Sequence, residues 1–158
     1  MTTTITGATG VNQITDDAIT AAKLPAGSVL QVVGDSNTTS FSTSSNSYVA
    51  TNLSVTITPL TTSSKVLINF STAVMCQDGN NDDYTYFLLK RNNTTLGDDI
   101  HGNYIQSTDN IKTNVAFSYI DSPSSTSALT YTLYLLKQSA GTAVMTGFKA
   151  ITAMEIAQ

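Results

Sequence analysis

Residues 129–138 read LTYTLYLLKQ. From Leu129 to Leu135 every second side chain is Leu or Tyr, the two-residue period of a strand with one face in a core. The other face opens with Thr130 and Thr132 but turns apolar at Tyr134 and Leu136. A strand apolar on both faces is central in its sheet or is covered by a neighbouring subunit. The stretch AITAMEI at 150–156 behaves alike, setting Ile151, Ala153 and Glu155 against Thr152, Met154 and Ile156. Core burial explains each strand separately; a subunit interface explains better why both faces carry small and apolar residues. Tyr131, Leu133, Tyr134, Leu136, Met154 and Ile156 are therefore the candidate interface residues.

Outward from these strands the same grammar repeats. Leu53, Val55 and Ile57 alternate with Ser54, Thr56 and Thr58 until Pro59 stops the strand. Val66, Ile68, Phe70 and Val74 share one face of 65–74, and the apolar run 84–91 follows the loop QDGNNDD at 77–83. Asn92-Asn93 predicts a tight hairpin turn into a short strand at 94–96. A first strand at 28–33 is closed by Gly34-Asp35-Ser36-Asn37, with a short edge strand near Phe41 inside the polar loop 35–47. A polar stretch at 97–110 leads to a strand at 112–120, the turn DSPSSTS at 121–127, and strands at 128–138, 142–145 and 150–156. Eight or nine short strands without a convincing helix predict an all-β protein, a single β-sandwich over residues 26–158.

Composition supports sheet. The chain has 158 residues, enough for one two-layer core plus a short extension. Charged residues make up 11%, well under the roughly 25% usual for soluble domains. Polarity comes instead from 27 Thr and 18 Ser, and β-branched Thr suits solvent-facing strand positions better than helix. Disorder competes as a reading of such a chain, but the apolar runs at 84–89 and 129–136 argue against it. A net charge of −4 with dispersed Lys and Arg leaves no electrostatic footprint for nucleic acid. The adjacent pair Lys90-Arg91 reads as a solvated strand end. No stretch reaches the length of a membrane span, and residues 1–25 lack the basic start and apolar core of a signal peptide. Synthesis in a cytoplasm is expected, so the Asn-x-Ser/Thr triplets at Asn37, Asn52, Asn69 and Asn93 carry no glycosylation meaning. The single cysteine, Cys76, excludes an internal disulfide framework and reads as a buried small hydrophobe.

Catalytic and metal-binding readings have little to build on. One histidine, His101, lies in GDDIHGNY, where Asp98 or Asp99 could orient an imidazole, but no nucleophile motif accompanies it. Asp82-Asp83 and Asp98-Asp99 sit in polar loops, and Glu155 has no acidic partner for paired-carboxylate chemistry. Residues 78–82 (DGNND) open like a calcium loop, yet Asp83 stands where glycine is needed and Leu89 where glutamate is needed. A plain Asx-rich hairpin loop is the reading adopted. GATG at 7–10 lacks the flanking strand and Lys-Ser/Thr of a phosphate loop. No catalytic residue, metal or cofactor is expected.

Residues 1–25 (MTTTITGATGVNQITDDAITAAKLP) form a different text. Residues 16–23 offer at most two helical turns, too few to hold alone in water. Ile5, Val11, Ile14, Ile19 and Leu24 are too irregular for one amphipathic face and too apolar for a spacer. An extended arm that a partner orders fits them best, each apolar side chain entering a pocket on that partner.

Residues 4–24 resemble the N-terminal or linker segments of structural proteins from tailed bacteriophages of aquatic hosts. Residues 119–158, with a Pro-Ser turn, a Tyr-Thr strand and a closing ITAMEIA, resemble the end of small β-sandwich domains in such particles. The resemblance implies a trimeric jelly roll of the tumour-necrosis-factor-like type, displayed on heads or tail fibres, and supplies no catalytic residues. It implies a virion location and a non-enzymatic role. A homotrimeric capsid decoration or cement protein, anchored by the arm 1–25, is the leading expectation. The alternative is a receptor-binding tip or small fibre of the tail, touching a host surface glycan or protein through loops 35–47, 77–83 and 97–110 with Tyr84, Tyr104, Asn80, Asn81 and Asn103. Tail-fibre chains usually carry a long shaft, whereas Pro25 here leads directly into the domain. Partners are thus further copies of the chain and capsid or tail proteins, with neither nucleic acid nor membrane insertion.

Twenty-five extended residues reach up to about 80 Å, enough to cross a neighbouring subunit. Deleting residues 2–24 is expected to leave the domain folded and trimeric while abolishing attachment to particles lacking their own copy. Unchanged particle affinity of the truncated protein in a sedimentation assay would assign the anchor to the sandwich instead.

Overall fold

The computed structural model describes residue 20 and residues 23–77, 83–105, 111–138 and 141–158. Ile5, Val11, Ile14, Ile19 and the Asx-rich loop 78–82 lie outside the described residues. Of the five arm residues only Leu24 is described, and it is exposed just before the first strand.

Nine strands follow in order: β1 (Val29–Asn37), β2 (Phe41–Thr43), β3 (Val49–Ile57), β4 (Lys65–Gln77), β5 (Asp83–Arg91), β6 (Thr94–Ile105), β7 (Lys112–Asp121), β8 (Leu129–Gln138) and β9 (Thr142–Ile156). They build two antiparallel sheets. One has the order β1-β9-β4-β7, with β2 also on β9; the other has the order β3-β8-β5-β6. The chain passes repeatedly from one sheet to the other, and its first and last strands are neighbours. That is the strand order of a jelly roll, the sandwich type that the resemblance implied.

The layer between the sheets takes the residues that alternation assigned to it. Leu53, Val55 and Ile57 of β3, Val66, Ile68, Phe70 and Val74 of β4, and Leu129, Tyr131, Leu133 and Leu135 of β8 are all buried in one cluster. Phe70 bridges the sheets, its ring centroid 6.1 Å from Phe87 and 6.0 Å from Phe117. β8 is apolar on both faces because it lies between β3 and β5, with half-buried Tyr134 and Leu136 outward.

Three elements depart from the sequence expectation. β1 runs through Gly34 to Asn37 rather than ending at Val33. The polar stretch 97–110 is strand as far as Ile105, because β5 pairs it throughout, Tyr86 with His101 and Tyr84 with Tyr104. Residues 142–145 and 150–156 are one strand, bent by a bulge: Ser71 pairs with Ala150 and Ala73 with Thr146. Gly147 in that bulge has φ 74°, a conformation that suits glycine. There β9 exchanges its edge partner, from β1 at Lys149 to β2 at Met145.

Lys90-Arg91 is also not a solvated strand end. Arg91 Nη1 donates to both carboxylate oxygens of Asp121, at 2.9 and 2.7 Å. The Tyr131 hydroxyl donates to Asp121 Oδ2 at 2.7 Å. Burial first and the Asp121 carboxylate second push the Tyr131 phenol far above its ordinary value. This clasp ties β5 and β8 of one sheet to β7 of the other.

At the C-terminal end of β9, fully buried Glu155 gathers a second set of donors. Gln31 Nε2 reaches it at 2.6 Å, and the backbone amide of Leu60 at 2.7 Å. Burial alone would raise this carboxyl, but hydrogen bonds from Ser64, Gln31, Leu60 and Thr61 outweigh it and hold it low. Lys149 is buried as well, its Nζ donating to the Thr39 carbonyl, and burial pushes its pKa down.

Removing the acceptor of the Arg91–Asp121–Tyr131 clasp strands a cation and a buried hydroxyl. Asp121→Ala is expected to cost about 2–4 kcal/mol in urea unfolding. A loss below about 1 kcal/mol would show that water replaces the carboxylate. Glu155 gives a pH signature. Its folded carboxyl titrates below the ordinary 4.5, so its stabilisation is present above that pH and fades as pH falls through the folded value. Glu155→Gln is expected to destabilise by about 1–3 kcal/mol at pH 7. The gap from wild type should shrink by pH 3, and an equal gap at both pH values would refute this account.

Candidate functional site

The six candidate interface residues do not share a surface. Tyr131 and Leu133 are each 0% exposed within the single chain, so they belong to the core and cannot meet a neighbour. Tyr131 is held there by its bond to Asp121. Tyr134 and Leu136 lie half-buried on the outer face of the β3-β8-β5-β6 sheet. Met154 and Ile156 lie half-buried on the outer face of the other sheet, across the thickness of the sandwich. One interface built around β8 and β9 together is thus corrected to two separate outer faces.

On the β1-β9-β4-β7 face, register lines up what the sequence keeps apart. Val32 pairs with Met154, Met154 with Leu67, and Leu67 with Ile120. The result is an apolar row running across all four strands. Val32 is 57% and Ile120 58% exposed, and exposed Val29 extends the row beside Ile156. The neighbouring rows are small or polar: Gly34, Thr152, Asn69 and Ser118, then Ser36, Ala150, Ser71 and Ala116. Of these, Asn69, Ser71, Ala116, Ser118, Ala150 and Thr152 line a depression of about 480 Å³. Beyond it the β9 bulge presents Phe148, 66% exposed.

The opposite face is aromatic. Tyr84 and Tyr104 stack across β5 and β6 with centroids 4.5 Å apart and planes at 22°. Tyr86 continues the stack 6.0 Å from Tyr84, and His101 tilts against Tyr86 at 4.9 Å. Lys90 Nζ sits 4.5 Å above the Tyr134 ring. A bulge places His101 here: Thr85 pairs with Asn103 and Tyr86 with His101, leaving Gly102 as the extra residue. Gly102 turns inward, where a Cβ would lie 2.6 Å from Thr85 Oγ1 and 2.9 Å from Phe87. Only glycine fits, and the bulge lets His101 and Tyr104 face the same side, with Asp99 and His101 flanking inward Ile100.

Beside the stack is a groove of about 630 Å³ lined by Asn46, Tyr86, Asp99, His101, Leu136 and Gln138. His101 and Asp99 therefore share a site, but its lining contains neither serine nor cysteine to serve as nucleophile. Nearby, the Tyr48 hydroxyl is buried without a well-formed hydrogen bond, and burial, then the Asp99 carboxylate, raises its pKa. Tyr84 and Tyr104 sit on strands rather than in recognition loops; Asn80 and Asn81 lie outside the described residues. Among the described residues no three His, Cys, Asp or Glu side chains cluster as metal ligands. Cys76 is buried.

No family model matches the chain, and no curated protein matches it. Among solved structures it is similar to that of the infectious bursal disease virus Gt strain, at 9% identity and a TM-score of 0.48, covering 83% of this chain and 38% of that one. The Gx strain structure gives 13% identity and a TM-score of 0.46, with coverage of 83% and 38%. The chain thus spans about two fifths of the length of these viral chains. The CBM22-1 xylan-binding domain from Paenibacillus barcinonensis Xyn10C gives 15% identity and a TM-score of 0.36, with coverage of 85% and 98%. Among the described residues no helix is long and apolar enough to cross a membrane.

Proposed function

We propose that this chain is a non-enzymatic structural subunit of a virus particle that assembles with copies of itself through the outer face of the β1-β9-β4-β7 sheet. The observation that carries this reading is the row Val32–Met154–Leu67–Ile120, which leaves apolar side chains in water across a whole sheet. A contiguous apolar patch of that kind on a lone domain marks a contact surface. The small-residue depression and Phe148 beside it add relief that a facing subunit can fill. A permanent assembly buries roughly 1,000 Å² or more per partner. The occupant is a second copy of this chain, and threefold closure is taken from the resemblance of residues 4–24 and 119–158 to trimeric phage jelly rolls.

In this reading the trimer decorates or cements a capsid, and the arm 1–25 docks on the shell. A receptor-binding tip or small tail fibre is the second reading. The tyrosine stack favours it, because assembly through the opposite face leaves that stack open. Hundreds of copies per particle would indicate the head, and about a dozen the tail.

Light scattering on a sizing column is expected to give three times the 16.7 kDa chain mass for the wild type at micromolar concentration. Because both side chains are more than half exposed, the double variant Val32→Lys, Ile120→Lys should fold normally yet elute as a monomer. A monomeric wild type, or a lysine variant that remains trimeric, would overturn the assignment of this face.

A further inference from the structure

The tyrosine stack and the groove beside it have no structural need of one another. Cross-strand aromatic pairing accounts for Tyr84 on Tyr104 as sheet stabilisation. It does not account for a concavity drawing on the segment before β3 and on β5, β6 and β8. There Asn46, Asp99, His101 and Gln138 converge around the side chain of Leu136 and the ring of Tyr86.

We infer that this groove binds an uncharged saccharide of one or two residues. A pyranose presents a C–H face and a rim of neighbouring hydroxyls. Leu136 and Tyr86 supply apolar surface for the face. One carboxylate, two carboxamides and an imidazole supply donors and acceptors for the rim, each hydroxyl being able both to donate and to accept. The volume of about 630 Å³ lies within the range of small-ligand sites. Charge narrows the class further. No Lys or Arg lines the groove, Asp99 does, and the chain carries net −4, which disfavours phosphorylated, sulfated and nucleic-acid ligands. The bulge at Gly102 is the built element of the site, because it lets His101 share the outer face with Tyr104 and the tyrosine stack. The inference does not depend on the self-assembly reading, since the groove lies on the opposite face from the apolar row.

Native electrophoresis through gels containing dextran, galactomannan or mannan, with heparin as the anionic probe, tests this directly on the full chain. Retardation by at least one neutral polymer and none by heparin is expected. Tyr86→Ala and Leu136→Asn should each weaken it by about tenfold or more. Thr62→Ala, in the exposed turn before β4, should leave it unchanged. If Tyr86→Ala lowers the melting temperature, the exposed His101→Ala carries the same test. Migration unaffected by all three neutral polymers, retardation by heparin, or retardation that survives both Tyr86→Ala and His101→Ala would overturn the proposal.

Discussion

The structure depends on one apolar layer closed between two sheets. Burying it sets the direction of every strand, because a strand offers its neighbour only alternate side chains. The layer takes Leu53, Ile68, Phe87, Tyr131, Leu133 and Ile151, which closes these inner-face side chains to a partner. At the edges of the layer, charged side chains are drawn in where convergent partners meet them. The Arg91–Asp121–Tyr131 clasp and the donor set around Glu155 are such places. Both join segments distant in sequence, and both fix the relation of one sheet or loop to the next.

What the layer does not consume is left on two outer faces of opposite character. One presents branched aliphatic side chains in a row beside small residues, suited to a rigid neighbour of matching relief. The other presents stacked phenols and a groove of mixed polarity, suited to a small hydrated molecule. Serving both from one surface would set an apolar contact against the need for exposed hydroxyls and amides. A two-layer sandwich avoids that conflict because its outer faces point in opposite directions.

Much of the fold was legible in the residues and much of the candidate site was not. Alternation in LSVTI and LTYTLYLL identifies strands and their buried faces, since the two-residue period is intrinsic to the backbone. GDDIHGNYI fails to read as strand because its polar content comes from an outward face and a glycine bulge, and only pairing with β5 reveals it. TGFK at 146–149 reads as a break because a bulge and a turn use the same residues. Tyr131 passed for an interface residue because its partner, Asp121, is brought to it by folding. The row Val32–Met154–Leu67–Ile120 draws one residue from each of four strands and exists only once the register is known. Gly102 was the available signal for the groove, a lone glycine directly after His101 in a polar stretch.

The pairing of β1 with β9 joins Val29 to Ile156, so the two ends of the domain meet within one sheet. The junction is sealed on both sides, with the Gly27 amide bonded to the Ala157 carbonyl and the Ala157 amide to the Ser28 carbonyl. Because β9 also forms the long edge of β4, the sheet has no interior until this last strand arrives. A chain emerging from its N-terminus must hold β1 and β4 without their shared neighbour for most of synthesis. Such non-local closure is slow and keeps two unpaired strand edges available in the meantime. The same topology that closes the finished sandwich leaves its precursor with adhesive strand edges until β9 has entered.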